Sequence, residues 1–148
     1  MADQADVPDG FEPIDLGSGF NARFGTVYLH QGGGKLGFRV ASHHLNPVGS
    51  CHGGAMATFA DMQIAAVSPG LGTKAGHMPT ISLSVDYLAP ARLDTWVEAV
   101  VTLVKLTRTL AFTQALITAD GDPVARSTGI YRNHGSAATT DKPATEAP

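Results

Sequence analysis

The sequence predicts an α+β domain in which an antiparallel sheet wraps around one central, buried helix. Short runs rich in β-branched and aromatic residues alternate with turns that contain Gly and Pro, a pattern typical of strands. One segment, 53–68, is rich in Ala and Met instead, and its length favours a helix. Strand-like runs precede and follow this helix, so we expect the strands to enclose it.

The strand-like runs predict a hairpin before the helix and a meander after it. Runs 23–30 and 36–41 flank the turn Gly32-Gly33-Gly34 and predict the hairpin. Residues 80–88 alternate apolar and polar side chains, which indicates a strand with one wet or site-lining face. Its apolar side chains are Ile81, Leu83, Val85 and Tyr87. Short turns join runs 96–106, 110–118 and 124–131, so these predict antiparallel strands.

The predicted helix is apolar on all sides and carries a single charge. Its apolar residues are Ala55, Met56, Phe59, Ala60, Met62, Ile64, Ala65 and Val67. A helix without a polar face is buried, and burying an unpaired carboxylate costs several kcal/mol. Asp61 is therefore a candidate catalytic group, although a single carboxylate can also mark an exposed edge or accept a neighbour's hydrogen bond.

Composition and length indicate one globular domain. The chain has 148 residues, of which 43% are hydrophobic and 16% charged. The low charged fraction favours self-association. Residues 1–19 contain several Pro and Gly residues and predict an irregular arm, and 20–134 form the domain. Residues 135–148 contain no apolar side chain larger than Ala, so we expect a disordered tail.

The charge pattern argues against several classes of partner. The net charge is −3 and no run of Lys or Arg occurs, so the basic surface that nucleic acid or an anionic membrane requires is missing. The first residues are acidic, unlike a signal peptide, and no apolar stretch approaches the roughly 20 residues of a membrane span. The lone Cys51 cannot form an internal disulfide. We expect a cytoplasmic protein.

The start of the helix is a second candidate site. His52-Gly53-Gly54 leaves backbone N–H groups uncovered, and the helix dipole reinforces them. Such donors suit the oxyanion that develops when an acyl carbonyl is attacked. His52 could orient this loop or support the carbonyl. Alternatively, the glycines serve only the conformation of a tight turn.

The spacing of the two candidates predicts a site shared between two chains. Eight residues separate Gly53 from Asp61, or about 12 Å along a helix. One carbonyl cannot contact both groups across that span. If both act on it, Asp61 comes from a second copy whose helix runs antiparallel across a two-fold axis.

Together these segments resemble the hotdog-fold thioesterases, and most closely their phenylacetyl-CoA (PaaI-type) and human acyl-CoA thioesterase subfamily. The resemblance covers roughly residues 22–134 and rests on Asn46, His52-Gly53-Gly54, Asp61, Tyr87-Leu88-Ala89-Pro90-Ala91 and Arg108-Thr109-Leu110-Ala111-Phe112. It implies a six-stranded antiparallel sheet around a long helix, assembled into dimers and often tetramers. It also implies hydrolysis of acyl-CoA thioesters without a metal or organic cofactor.

The resemblance assigns roles to five positions. The backbone N–H of Gly53 would polarise the thioester carbonyl, and Asp61 of the opposing protomer would act as nucleophile or general base. Asn46 would help to position the water or the carbonyl, and His52 would hold the loop and substrate. Thr80 stands where relatives carry a hydroxyl near the carboxylate, and would hydrogen-bond the attacking water.

The expected substrate sets two further groups of candidates. CoA carries phosphates, so cations should line the entrance, and the candidates are Arg108 first, then Arg92, Lys105 and Arg132. Each could instead be a solvated surface charge. The depth of the acyl pocket is expected to depend on Met56, Phe59 and the N-terminal arm. Aromatic, short-chain and medium-chain acyl groups all remain open, as does the choice between dimer and tetramer.

Other readings of the sequence are weaker. Cys51 and His52 are adjacent and rarely reach the geometry of a nucleophile and its base. The histidines lack the spacing of metal ligands, and Gly32-Gly33-Gly34-Lys35 lacks the Ser or Thr of a phosphate-binding loop. Two competing functions remain: a non-catalytic acyl-CoA-binding or regulatory protein, and a dehydratase acting on hydroxyacyl or enoyl thioesters.

Overall fold

Seven strands form one antiparallel sheet in the residues that the computed structural model describes, 6–71 and 77–134. The strands are β1 (Phe11–Pro13), β2 (Tyr28–His30), β3 (Lys35–Arg39), β4 (Thr80–Tyr87), β5 (Trp96–Leu106), β6 (Leu110–Ala119) and β7 (Asp122–Arg132). Their order across the sheet is β1-β2-β3-β5-β6-β7-β4. The strand that follows the helices, β4, is thus an edge strand that pairs with β7. The α+β class and the antiparallel sheet are confirmed.

The additional strand lies in the N-terminal arm. β1 pairs with β2, so that Phe11 lies opposite His30, and the ring of Phe11 contacts Trp96 edge to face at 5.2 Å. Pro13 is tolerated because β1 is an edge strand. The count of six strands is therefore wrong by one, and three residues of the expected irregular arm form a strand. The expected tail, 135–148, lies outside the described residues.

The predicted hairpins form with shifted boundaries. Gly33 and Gly34 adopt positive φ angles of 72° and 75° in the β2–β3 turn, a conformation that glycine adopts without steric cost. The start of the predicted first strand is instead a short helix, α1 (Phe20–Phe24). Asp120 (φ 46°) and Gly121 (φ 91°) join β6 to β7 with the paired positive φ angles of a tight type I′ turn.

The central helix is shorter than predicted. It comprises α2 (Gly53–Asp61), followed by α3 (Ile64–Val67) and a 3-10 turn, Ser68–Leu71. Between α2 and α3 the hydrogen bonds tighten, because Gln63 N–H donates to Ala60 O and Ala65 N–H donates to Met62 O. No helix in the described part of the chain is long and apolar enough to cross a membrane.

One face of α2 packs into the core and another opens to a cleft. Met56, Phe59 and Ala60 are buried, and the Phe59 ring lies 4.6 Å from that of Phe38 on β3. The residues of α2 that line the cleft are Gly54, Ala57, Thr58 and Asp61. Their spacing of three, four and seven residues places them on one side of the helix. The expectation of a helix buried all round is therefore wrong for this stripe.

Candidate functional site

A cleft of about 840 Å³ lies between the N-terminal arm, the open face of α2 and the start of β4. The arm contributes Asp15, Leu16, Gly17, Phe20 and Asn21. The far wall beyond Asp61 contains Met62, Ile64, Ala65, Ser68, Pro69, His77, Met78, Leu83 and Tyr131. Most of these wall residues are apolar, so the cleft combines one carboxylate on α2 with a surface suited to an apolar group.

Asp61 is held by hydroxyl groups from two strands. Thr80 Oγ1, at the start of β4, donates to Asp61 Oδ1 at 2.7 Å. The hydroxyl of Tyr131 on β7 donates to Asp61 O at 2.8 Å and lies 3.4 Å from Oδ1. Thr80, predicted beside the carboxylate, does contact it. Within the described residues, Asp61 Oδ2 accepts no hydrogen bond from the protein, so this oxygen is available to a ligand.

Tyr131 is fully buried although its hydroxyl reaches the cleft. Burial raises the pKa of this phenol well above its usual range, and the nearby Asp61 carboxylate raises it further. The hydroxyl therefore keeps its proton at every pH at which the protein would work. It acts as a permanent hydrogen-bond donor beside Asp61.

At the other end of α2, His52 caps the helix. Its ring Nδ1 accepts a hydrogen bond from the backbone N–H of Gly54 at 2.8 Å. The backbone N–H of His52 donates to His44 O at 2.7 Å. The N–H of Gly53 occupies the first position of the helix, where no carbonyl within the helix is in reach. This N–H is the donor that the sequence predicted for an acyl oxygen.

Tyr87, at the end of β4, fixes the same glycine from the other side. Its hydroxyl donates to Gly53 O at 2.6 Å. A Cβ on Gly53 would lie 3.4 Å from the ring of Tyr87, which is ordinary contact distance. Tyr87 thus holds the peptide group that follows Gly53 without crowding it.

Asn46 organises the loop that leads to the helix. Its Oδ1 accepts from the N–H groups of Val48 and Ser50, both at 3.1 Å, and its Nδ2 donates to Ser50 Oγ at 3.0 Å. One of the two Nδ2 hydrogens remains for a ligand. Positioning of water or carbonyl by Asn46 stays a prediction, and the structure adds a role in shaping the loop.

The predicted acyl-pocket residues do not lie in the cleft of the single chain. Met56 and Phe59 belong to the hydrophobic core, and Phe59 has no exposed surface. Phe59 packs between Phe24 and Phe38 because the inner face of α2 points at α1 and β3. The arm does line the cleft, as expected.

The four candidate cations divide between the two ends of the site. Arg132 lies at the Asp61 end, where its backbone N–H donates to Pro79 O, next to Thr80. Arg108 lies near the same end, in the β5–β6 turn, because Thr109 O of this turn accepts the backbone N–H of Asn133. Lys105 is at the end of β5 that leads into this turn. Arg92 pairs with Ser50 in the loop before Gly53. All four are exposed.

The described ranges also bear on two other kinds of site, a metal site and a cysteine nucleophile. There, no three His, Cys, Asp or Glu side chains are grouped so that they could hold a metal ion. Burial raises the pKa of the Cys51 thiol to about 11. Since the thiolate is the nucleophilic form, this cysteine is a poor nucleophile near neutral pH, in agreement with the sequence analysis.

Sequence reasoning missed Tyr87 and Tyr131 as parts of the site. Both occupy ordinary positions in strands with regular alternation. The only signal for Tyr131 is a polar atom on a side chain at a core-facing position, since a buried tyrosine usually hydrogen-bonds its hydroxyl.

Comparisons with known proteins identify the family and the fold. Residues 48–125 match the Thioesterase superfamily. A provisionally named esterase of Pseudomonas aeruginosa is 27% identical over 84% of the chain and 96% of its own length. The phenylacetic acid degradation protein PaaI of Thermus thermophilus is 25% identical, with a TM-score of 0.61 over 84% of this chain and 93% of its own. A hypothetical thioesterase of Streptococcus pneumoniae, solved with coenzyme A, is 23% identical, with a TM-score of 0.63 over 86% and 90%.

The family match spans more than half of the chain, and a hotdog sheet encloses its site helix. The chain therefore belongs to the Thioesterase superfamily, with the PaaI-type hotdog fold. It is a thioester hydrolase.

Proposed function

We propose that the protein hydrolyses acyl-CoA thioesters to the free acid and CoA, at a site built from the Gly53 end of one chain and the Asp61 end of another. The observation that carries this proposal is that β4 links the two ends of α2. Thr80, at its start, bonds to Asp61, and Tyr87, at its end, bonds to Gly53.

Pairing of β4 with its own copy would assemble this composite site. As an edge strand, β4 presents unpaired backbone groups, and Ile81 and Tyr87 on it are each 55% exposed. Across a two-fold axis the pairing is antiparallel, and full overlap places Thr80 opposite Tyr87 of the other copy. The Asp61 end of each chain then meets the Gly53 end of its partner. This accounts for both groups acting on one carbonyl.

The chemistry at such a site follows from its groups. The N–H of Gly53 would donate to the thioester oxygen, where negative charge develops. Asp61 Oδ2 would take the proton of the attacking water, or attack the carbonyl itself. As a general base, Asp61 would accept a proton from the water whose oxygen forms the new C–O bond, and would pass this proton to the sulfur as the C–S bond breaks. As a nucleophile, Oδ2 would itself form the C–O bond and expel the CoA thiolate, and water would then hydrolyse the resulting mixed anhydride, releasing the free acid, restoring the carboxylate and supplying the proton that the thiolate takes up. Thr80 would hold Oδ1 and thereby orient Oδ2.

Properties of similar proteins support a CoA ester as the substrate. The S. pneumoniae thioesterase was solved with coenzyme A, and also as mutants with an aspartate or a threonine replaced by alanine. A protein of Streptococcus mutans was solved with acetyl-CoA. Asp61 and Thr80 are a pair of the same residue types. In the proposed dimer Arg92 of one copy joins Arg108, Lys105 and Arg132 of the other around the CoA phosphates.

The first experiment measures thiol release from aromatic and straight-chain acyl-CoAs by the wild type and by Asp61→Asn. We expect hydrolysis by the wild type and a loss of about a hundredfold in kcat in the variant, equivalent to about 2.7 kcal/mol of barrier. Asp15→Asn is the matched control, because Asp15 is the other described carboxylate that lines the cleft. It should stay near wild-type activity, and equal losses in the two variants would refute the assignment.

Mixing two inactive variants tests whether the site is shared. Gly53→Pro removes the N–H, and the φ and ψ of His52 (−58°, 136°) already suit a residue before proline. In a heterodimer of Asp61→Asn with Gly53→Pro, one site carries both defects and the other carries neither. Random exchange of subunits should restore about a quarter of wild-type activity. No recovery in verified heterodimers would place both groups in one chain.

The competing functions predict different results in the same panel. A well-folded wild type that binds acyl-CoA and releases no thiol from any ester would indicate a binding or regulatory protein. Hydration of crotonyl-CoA without thiol release would indicate a dehydratase. Only thiol release that depends on Asp61 supports the hydrolase.

A further inference from the structure

The central helix breaks directly after Asp61, and the break leaves a backbone carbonyl to be satisfied. In a continuous α-helix, Asp61 O would accept the N–H of Ala65. That N–H donates to Met62 O instead, at 2.8 Å, because the chain tightens into i to i−3 bonds through Met62 and Gln63. Asp61 is half-buried, and a backbone carbonyl that is shielded from water is costly without a donor.

The hydroxyl of Tyr131 supplies that donor. It lies 2.8 Å from Asp61 O, although β7 is 70 residues away along the chain. The same hydroxyl is 3.4 Å from Asp61 Oδ1, which also accepts from Thr80. One buried tyrosine therefore contacts both the main chain and the carboxylate of Asp61.

A buried amide lies close to this hydroxyl. The fully buried side chain of Gln63 donates from Nε2 to Ser127 Oγ at 3.4 Å, and a Cβ built on Gly129 would meet both this nitrogen and the Tyr131 hydroxyl within 3 Å. The acceptors of the hydroxyl proton are two oxygens of Asp61, its main-chain O and its Oδ1.

Gly129 leaves the space that this arrangement needs. A Cβ at Gly129 would lie 2.6 Å from a ring carbon of Tyr131 and 2.8 Å from its hydroxyl oxygen. The backbone of Gly129 is not in the left-handed region, so the absence of a side chain matters here for space rather than for conformation.

We propose that Tyr131 is a positioning residue for Asp61, which pins the helix break and holds Oδ1 so that Oδ2 is the reactive oxygen. The proposal deepens the proposed function and rests on it. Thr80 orients the carboxylate from β4 and Tyr131 from β7, so the angle of the carboxylate is fixed from two sides. Tyr131 contacts the carboxylate and not the reacting carbonyl.

The test is Tyr131→Phe, assayed on whichever ester the wild type hydrolyses best. We expect kcat to fall about tenfold, as for the loss of one ordinary hydrogen bond at the reactive group, with KM unchanged within about twofold.

Gly129→Ala provides a second variant that keeps the hydroxyl but displaces it. It should lower kcat at an unchanged KM. Tyr28→Phe is the matched control, because Tyr28 packs against Trp96 at the opposite end of the sheet from β7, and it should leave kcat unchanged. Thermal melts establish that each variant is folded at the assay temperature.

The outcomes separate this inference from the proposed function. A wild type without thioesterase activity would overturn the function itself. An active wild type that requires Asp61, together with a folded Tyr131→Phe of unchanged kcat, would overturn only the positioning role. A rise in KM at constant kcat would also overturn it.

Discussion

The two ends of helix α2 are built in different ways. At the Gly53 end, the side chains that shape the loop make local contacts: His52 caps Gly54, and Asn46 closes its own loop on Ser50. At the Asp61 end, the contacts come from distant parts of the chain: Thr80 is 19 residues away and Tyr131 is 70. One end is a turn that carries its own geometry, whereas the other exists only once the sheet has formed.

This difference determines what a substitution does. A change at the Gly53 end acts on a single donor whose position is set by neighbouring residues. A change at the Asp61 end acts on a carboxylate that two strands hold in place. We therefore expect a large fall in kcat when the single donor at Gly53 is lost. At the Asp61 end, the loss of one of the two hydroxyl groups should lower kcat only in part.

The largest effect expected, apart from the loss of Asp61 itself, follows Gly53→Pro. Removing the N–H should lower kcat about a hundredfold, as for other donors to an oxyanion, while helix stability is retained because proline suits the first helical position. Gly53→Ala keeps the N–H and places its Cβ at contact distance from Tyr87, so it should remain within a few-fold of wild type. Steady-state kinetics on acyl-CoA compares the two, and equal losses would mean that bulk rather than the N–H matters.

Thr80→Val removes the hydroxyl at the Asp61 end and keeps the shape of the side chain. We expect kcat to fall about tenfold, because Oδ1 loses its 2.7 Å donor. Thr80→Ser, which keeps the hydroxyl, should restore most of the activity. Additive losses in Thr80→Val with Tyr131→Phe would show that the two donors act independently. A Thr80→Val variant with wild-type kcat would contradict the role of Thr80.

Tyr87→Phe tests a long-range side-chain contact at the Gly53 end. The bond to Gly53 O joins residues 34 positions apart, but local contacts already fix the loop. We therefore expect a decrease in kcat of only about threefold. A decrease as large as that of Gly53→Pro would show that the Gly53 end, like the Asp61 end, depends on the sheet.

The same contrast explains which features could be predicted from sequence. β5 spans Trp96–Leu106, the range predicted for it, because a long strand carries its own pattern. β1 has three residues, too few to show alternation, and forms because β2 offers an unpaired edge. The break after Asp61 was missed since the donor that satisfies the freed carbonyl, the Tyr131 hydroxyl, lies on a distant strand. Gly53 and His52 could be named as candidates because the motif that suggests them is local.

His44 offers the smallest effect and a readout in stability rather than in rate. It is buried beneath the Gly53 end, where its carbonyl accepts from His52. Its Nε2 bonds to Phe24 O at 2.6 Å and its Nδ1 accepts from the N–H of Ala41 at 2.9 Å. Only the neutral ring can do both. Burial lowers the pKa of His44, against the bond to Phe24 O, which raises it, and the neighbouring His43 adds to the lowering.

The sign of the pH dependence follows from that lowered pKa. Below the ordinary value of 6.5 the unfolded chain binds a proton at His44 that the folded chain does not, so stability falls as the pH drops from 6.5 towards the folded pKa. As the pH falls from 7 to 5, the denaturant midpoint should decline more steeply for the wild type than for His44→Gln. The two slopes should differ by an amount that corresponds to at most about one proton taken up on unfolding. The exposed His134 provides the control, and His134→Gln should follow the wild-type slope. Parallel slopes in the wild type and His44→Gln would mean that His44 protonates as readily in the fold as outside it, and that the Gly53 end does not depend on its neutral ring.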